Sequence, residues 1–426
     1  MLSRDEGQAF WDAHPWLRGT TPVDHKWHLP LVLFDDAGPF SNTKSTYARQ
    51  FYSLLGTGSE KESRILIATG VVNKSEEDKS WPIVLDSFSK LAHNKEPGSW
   101  GGILLFLGAD LEYACNVVGL RHFNSAGEMC SLCLANSSDY PFNDLMGNAA
   151  YKATLVDNET FLNRLRHPLH PLAGHAIFNK WTYRHDNLHN LDHHGLAGHV
   201  IANILYKHVS GERDAEVLPG ENVDERLAFL NADIRAYYTA AKVENRLPPL
   251  KMDNLKNGPW PVLKGQNVKA ANTRALVPYV LQLQQRAVDL NPNDTNKHML
   301  KVVHSLQCMY DVMYNNGYFL DPNALATLRD AVARFGRHYY WLAATSFRQE
   351  LTRWHIVPKF HYVVGHMGEQ TSLINPRFVQ SYGSESMVGA VTKTYGKSQS
   401  GPFHNVIQRT VVLKYKTGMK FLWELR

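Results

Sequence analysis

Apolar and polar positions follow two different rhythms along this chain. In the first part, short apolar runs are cut by turns: WHLPLVLF (27–34), SRILIATGVV (63–72) and GGILLFLGAD (101–110) read as strands, and residues 45–55 as a further strand paired with the first. Between the second and third of those runs, WPIVLDSFSKLAH (81–93) sets Ile83, Leu85, Phe88 and Leu91 near helical spacing. From about 195 to 370 the period lengthens. ERLAFLNADIRAYYTAAKV (225–243), HMLKVVHSLQCMYDVMYNN (298–316) and the long run 323–355 repeat apolar residues every three to four positions, as amphipathic helices do. The Pro-, Gly- and Lys-rich stretch 246–272 breaks this pattern and predicts an exposed loop. A last helix starts near Ser384, with Glu385 in its first turn and Met387, Val388 and Val391 as its apolar face.

Composition narrows the class. With 44% hydrophobic and 20% charged residues, and 29 Gly and 20 Pro scattered along 426 positions, the chain reads as an ordinary globular protein. It lacks both a run of about 18 apolar residues and the apolar centre of a signal peptide, so an intracellular, non-membrane protein is expected. A formal charge of +5 permits a polyanionic partner without arguing for one.

Two groups of residues carry candidate chemistry. Asp35 and Asp36 close the first strand and Asp110 the last; adjacent parallel strands would bring such carboxylates close together, where they repel unless a divalent cation neutralises them. The plainer reading is that acids follow strands because the chain re-enters solvent. Glu385 is the third candidate acid, its plainer role being a favourable charge at a helix N-terminus; Glu350 and Glu369 compete with it. The second group starts from Cys130 and Cys133, a Cys-x-x-Cys pair able to give two thiolates to a zinc ion that needs two more ligands. The His- and Asp-rich stretch 183–199 is the expected source. Its His189, with Asp186, His185 or His193, would complete the shell. A zinc hydrolase built on His185, His189 and His193 is a further option, though no His-Glu-x-x-His arrangement exists.

The stretches PLVLFDDAGPF, GADLEYACNVVGLRHFNSAGEMCSLCLANSSDYPFND, HPLAGHAIFNKWTYRHDNLHNLDHHGLAGHVIANIL, PKFHYVVGH and SYGSESMVGAVTK, taken in order, resemble the catalytic region of eukaryotic cut-and-paste DNA transposases, closest to the CACTA-type group and its diverged relatives. The resemblance implies an α/β RNase H-like core interrupted by a large all-helical insertion. Its parts would be an N-terminal extension (1–26), a first core segment with the Cys-x-x-Cys stretch (27–194), the insertion (195–372) and a C-terminal helix completing the core (373–426). It also implies a nuclear DNA transposase, homo-oligomeric, with Asp36 (or Asp35), Asp110 and Glu385 as catalytic acids holding Mg²⁺ or Mn²⁺. With those ions, water would cut a phosphodiester and the freed 3′-hydroxyl would then attack target DNA. Cys130 and Cys133 match the family's cysteine pair, and Asp186 and His189 match its Asp-x-x-His motif. Lys251, Lys256, Lys264 and Lys269, near Trp260, are candidate DNA contacts, or a solvated basic loop. The sequence departs from the pattern by losing the glycines that flank the first acid, and only 35 residues precede Asp36 where such enzymes carry a DNA-binding module. The alternative is therefore a catalytically inactive, transposon-derived DNA-binding or structural protein.

Overall fold

The computed structural model describes residues 9–12, 28–39, 45–55, 64–71, 74–93, 101–124, 127–175, 178–211 and 217–397, a mixed α/β fold with a small sheet and a larger share of helix. Most of the expected N-terminal extension, and the end of the expected C-terminal segment, lie outside these residues. In chain order the main elements are β1 (His28–Pro39), β2 (Ser45–Ser53), β3 (Arg64–Val71), α1 (Lys74–Ala92), β4 (Gly101–Gly108), α2 (Leu196–Ser210) and α3 (Val223–Ala240). They continue with α4 (Ala270–Leu290), α5 (Asp294–Asn315), α6 (Pro322–Arg348) and α7 (Tyr382–Lys397). Two compact units divide the chain: the first holds Met1–Leu132, Val156–Asp186 and Phe378–Arg426, the second Cys133–Leu155 and Asn187–Arg377.

The sheet of the first unit runs in the order β3-β2-β1-β4. β2 is antiparallel to both β1 and β3, while β4 is parallel to β1. Leu31 to Phe34 are buried without alternation, as expected of a central strand covered on both faces. One face carries α1, packed through Trp81, Val84, Leu85 and Phe88. Ile83, expected on that face, is 70% exposed; Trp81 takes the buried role because Trp81, Val84, Leu85 and Phe88 form the tighter helical stripe.

The other face carries α7, which packs on β1 and β2 and buries Val388 and Val391. Gly38 makes the close approach possible, because a Cβ there would lie 2.8 Å from Thr392 Cγ2. Gln50 adds a hydrogen bond from Nε2 to the Ser384 carbonyl, 3.0 Å.

Between β1 and α1 lies a fully buried ion pair. Arg49 Nε donates to Asp35 Oδ2 at 2.6 Å, with both side chains at 0% exposure. The Tyr113 hydroxyl donates to the same oxygen at 2.5 Å, and Arg49 Nη1 reaches Ser80 Oγ at 2.5 Å. The guanidinium also lies over the Trp81 ring, 3.7 Å from its centroid. Burial alone would lower the pKa of Arg49, but the Asp35 charge holds it above its ordinary value. Burial raises the Asp35 carboxyl, with Arg49 pulling the other way.

The second unit is helical. α2 is buried along nearly its whole length, from Leu196 to Val209, and packs against α3, α4 and α5, with Leu276, Val280 and Leu283 of α4 and Met299, Val303 and Leu306 of α5 in the same buried cluster; α6 packs on α5. A helix apolar all round belongs at such a centre. The stretch 246–272 is not the loose loop expected from its Pro and Gly content. Leu247, Leu250, Leu255, Val262, Leu263 and Val268 are all buried, Met252–Leu255 forms a helical turn, and the Leu263 amide donates to the Gly198 carbonyl of α2 at 3.0 Å. Apolar anchors spaced along irregular backbone hold it down.

Removing one partner of a buried pair strands the other charge, which costs about 3–5 kcal/mol. Arg49→Met should lower unfolding stability by that amount in a denaturant titration. Asp35→Leu with Arg49→Met should recover most of it; an unchanged midpoint for the single variant would refute this account.

Candidate functional site

Carboxylates gather at one end of the sheet in the first unit. The parallel register pairs Phe34 of β1 with Gly108 of β4, and carrying it two residues forward sets Asp36 level with Asp110, at an interstrand spacing of about 4.8 Å. The pleat sends Asp36 to the face opposite Asp35, the face that carries α7. Glu385 stands in the first turn of α7, its amide donating to the Ser381 carbonyl at 2.8 Å. All three side chains are half-buried.

Local bonds set the two aspartates. Asp36 Oδ1 accepts from the Ala37 amide at 2.7 Å. Asp110 caps the short helix Leu111–Tyr113, its Oδ1 accepting from the Tyr113 amide at 2.6 Å. Burial, then the charges of Glu385 and Asp110, push the Asp36 carboxyl up to about 9. Asp36 therefore senses both other acids. Glu350 and Glu369, the competing acids, belong to the second unit.

The sequence left Asp35 and Asp36 as alternatives, and the structure separates them. Asp35 is spent on Arg49 and Tyr113 in the core; Asp36 is the one level with Asp110.

A second candidate centre lies at the Cys-x-x-Cys turn, where Cys130 and Cys133 meet His361 and His366. Their ligand atoms all lie within 4.8 Å of one another, and all four residues are buried. Cys133 Sγ is 3.4 Å from His361 Nε2 and 3.5 Å from His366 Nε2, and the two Nε2 atoms are 3.2 Å apart. A tetrahedral zinc ion with ordinary bond lengths would need edges of about 3.5 Å for sulfur–nitrogen and about 3.3 Å for nitrogen–nitrogen. The donor set fits such an ion. The Leu132 and Ala135 amides point at the two sulfurs from 3.4 and 3.5 Å, which favours thiolates.

His361 and His366 were not expected as ligands, although PKFHYVVGH contains both. They are five positions apart, a spacing that an α-helix turns to different sides. Here Tyr362–Met367 is a π-helix, whose wider turn brings the two imidazoles round to one side.

The expected ligands are elsewhere. Asp186, in the first unit, accepts from the Ser381 amide at 3.1 Å and the Ser381 hydroxyl at 2.6 Å, anchoring the residue just before α7. His189 stacks edge-on against His193 with centroids 5.5 Å apart, and His185 pairs with the Tyr183 hydroxyl at 3.2 Å. Leu188–Asp192 is itself a π-helix, so the fourfold spacing of His185, His189 and His193 does not align them. Among the described residues, the Cys130, Cys133, His361 and His366 set is the one group of close metal-ligating side chains; neither the expected Asp186 and His189 ligands nor a three-histidine hydrolase centre is formed.

Of the four lysines, Lys251, Lys264 and Lys269 are exposed; Lys256 is half-buried, its Nζ 5.0 Å above the Tyr206 ring. Trp260 stacks on His355 with centroids 4.6 Å apart. Among the described residues no helix is long and apolar enough to cross a membrane.

No protein-family model matches this chain, and no curated protein matches it. The chemistry of these sites therefore stands on their geometry.

Two measurements test the two centres. Elemental analysis should find one zinc per chain. Cys133→Ser and His366→Ala should lose it, with a lower Tm that a chelator reproduces in the parent, whereas His189→Ala should keep it; zinc retained by His366→Ala would refute the assignment. At the carboxylates, Asp36 ionises near 4 when unfolded and near 9 when folded. Between those values the folded chain holds a proton that the unfolded chain has released, so Asp36 makes stability fall as pH rises. Asp36→Asn should flatten the decline in Tm between about pH 5 and pH 8.5 in metal-free buffer; parallel curves would show that Asp36 is not raised.

Proposed function

We propose that the chain is a DNA transposase-like protein in which Asp36, Asp110 and Glu385 form a metal-dependent strand-cleaving centre on an RNase H-like core. The observation that carries this reading is the register that sets Asp36 level with Asp110 on neighbouring parallel strands, with Glu385 entering from the helix packed over the same face. Sheet order β3-β2-β1-β4, with β4 alone parallel to its neighbour, supports the fold assignment. A further parallel bridge between Leu107 and Tyr183, on the far side of β4, is consistent with a fifth strand position. Mutual repulsion among three half-buried acids supports a divalent cation as their partner.

Mg²⁺ or Mn²⁺ held there would activate a water and stabilise the leaving oxygen in an in-line displacement. The chain's own residues supply the frame. Asp36 and Asp110 would each present a carboxylate from a strand end, and Glu385 would close the set from α7. Asp35 and Arg49 fix the strand from which Asp36 projects, and the Asp186 bonds to Ser381 hold the N-terminal end of α7 beneath Glu385. A DNA partner, self-association and a nuclear location belong to the same reading.

The parent should nick supercoiled plasmid with Mg²⁺ or Mn²⁺ and not without. Replacing even an outer-sphere partner of a metal commonly costs 10–100-fold, so Asp110→Asn and Glu385→Gln should each lose about a hundredfold or more. A parent that never nicks under either metal would make the chain an inactive, transposon-derived binding protein.

A further inference from the structure

Six residues beyond Asp110, the first unit opens a cavity of about 440 Å³ that the proposed cleavage chemistry does not use. It is lined by Asn116, Gly119, Arg121, His122, Arg164 and Arg166 among others. Its frame is fixed by backbone bonds. Gly119 adopts φ +93°, where a Cβ would press on Arg166 at 3.2 Å, and the Arg166 amide donates to the Gly119 carbonyl at 2.8 Å. Arg121 is held on both sides of its peptide, its amide donating to Ser131 Oγ at 2.8 Å and its carbonyl accepting from Cys115 Sγ at 3.1 Å.

The charge balance of this cavity is positive. Glu128 accepts from Arg164 at 2.9 and 3.2 Å and lies 3.7 Å from Arg121, so one carboxylate meets two of the three guanidiniums. Arg164 is further held by the Cys130 carbonyl, 2.9 Å away. Among the described residues the Arg166 guanidinium donates to the neutral Asn116 carbonyl, and the Arg121 side chain is 41% exposed. Two cationic groups are thus left facing an open cavity.

An aromatic platform adjoins it. Phe123 is 47% exposed, and its ring lies against that of His122, centroids 4.3 Å apart and planes 33° from parallel. Exposed aromatic rings beside arginines are the elements by which proteins hold single strands, the cations on the backbone and the rings on the bases.

We infer that this cavity binds a backbone phosphate of a single nucleic-acid strand, with a neighbouring base stacked on Phe123. Arg121 and Arg166 neutralise the phosphate, Glu128 limits the net charge by holding Arg164, and His122 backs the Phe123 ring. The identity of the polymer rests on the strand-cleavage reading; the site itself does not. With Asp110 a short helix away, the same strand would run from the cavity toward the carboxylates.

The test is fluorescence anisotropy of the full chain with a labelled single-stranded oligonucleotide and its abasic counterpart, in buffer without added divalent cation. Arg121→Gln should weaken both strands by about tenfold and reduce the slope of log K against log salt by about 1. Phe123→Ala should weaken the base-carrying strand by about tenfold and leave the abasic strand unchanged. Glu128→Gln should tighten both. Both replaced side chains in the first two variants are partly exposed, so folding is retained and circular dichroism checks it. Equal binding by Arg121→Gln, by Phe123→Ala, or an affinity matched by inorganic phosphate alone would overturn the proposal. Plasmid nicking by the parent is scored separately. Arginine-dependent binding without nicking removes the cleavage reading and leaves this site, whereas nicking with unaltered binding in both variants does the reverse.

Discussion

The ion pair between Asp35 and Arg49 is the constraint from which the rest of the first unit follows. Two acids in succession end the apolar run of β1, and only one of them can point into the sheet–helix core. Arg49 decides which. It sits opposite Asp35 in the antiparallel register, is fully buried under Trp81, and pairs with Asp35. Because side chains alternate along a strand, fixing Asp35 on the α1 face puts Asp36 on the α7 face. A slip of one residue would bury Asp36 against Arg49 and turn Asp35 toward Asp110, with every apolar neighbour on the wrong side.

The same parity organises the opposite face. Gly38 and Asp36 share it, and so does Gln50, paired with Phe34 across the ladder. Small Gly38 lets α7 lie close, Gln50 holds the Ser384 carbonyl, and Asp186 receives both the amide and the hydroxyl of Ser381. Gln50 and Asp186, far apart in the sequence, thus locate the turn of helix that carries Glu385, while Gly38 makes room for the later residues Val388 and Thr392. A residue that reads as a metal ligand by motif serves here as an anchor, which is a second way for a buried carboxylate to be satisfied.

Much of this was legible beforehand. Strands with acids at their ends, the late helix and the cysteine pair all follow from local pattern, because each is decided by residues within a few positions of one another. What was hidden depends on non-local or irregular geometry. Asp35 and Asp36 are chemically identical, and their difference lies in Arg49, fourteen residues away. The imidazoles of His361 and His366 meet only because the helix widens to a π-turn, which no regular helical spacing signals. The dense histidines of 183–199 misled by abundance: their fourfold spacing matters only on a regular α-helix, and the backbone there is not one. Ile83 and the 246–272 stretch failed for a related reason, since composition describes what a segment can tolerate and burial is fixed by what it meets.

The two clusters of electron-pair donors differ in compactness, and charge explains why. Sulfur and imidazole groups can approach to hydrogen-bonding distance, so the Cys130, Cys133, His361 and His366 set is already drawn in to the dimensions of a zinc shell. Carboxylates have no such option once ionised. Asp36, Asp110 and Glu385 form no such close set, and burial, then the charges of Glu385 and Asp110, raise the Asp36 carboxyl. Arginines 121, 164 and 166 lie beyond the short helix that Asp110 caps, so the first unit separates its charges along the chain.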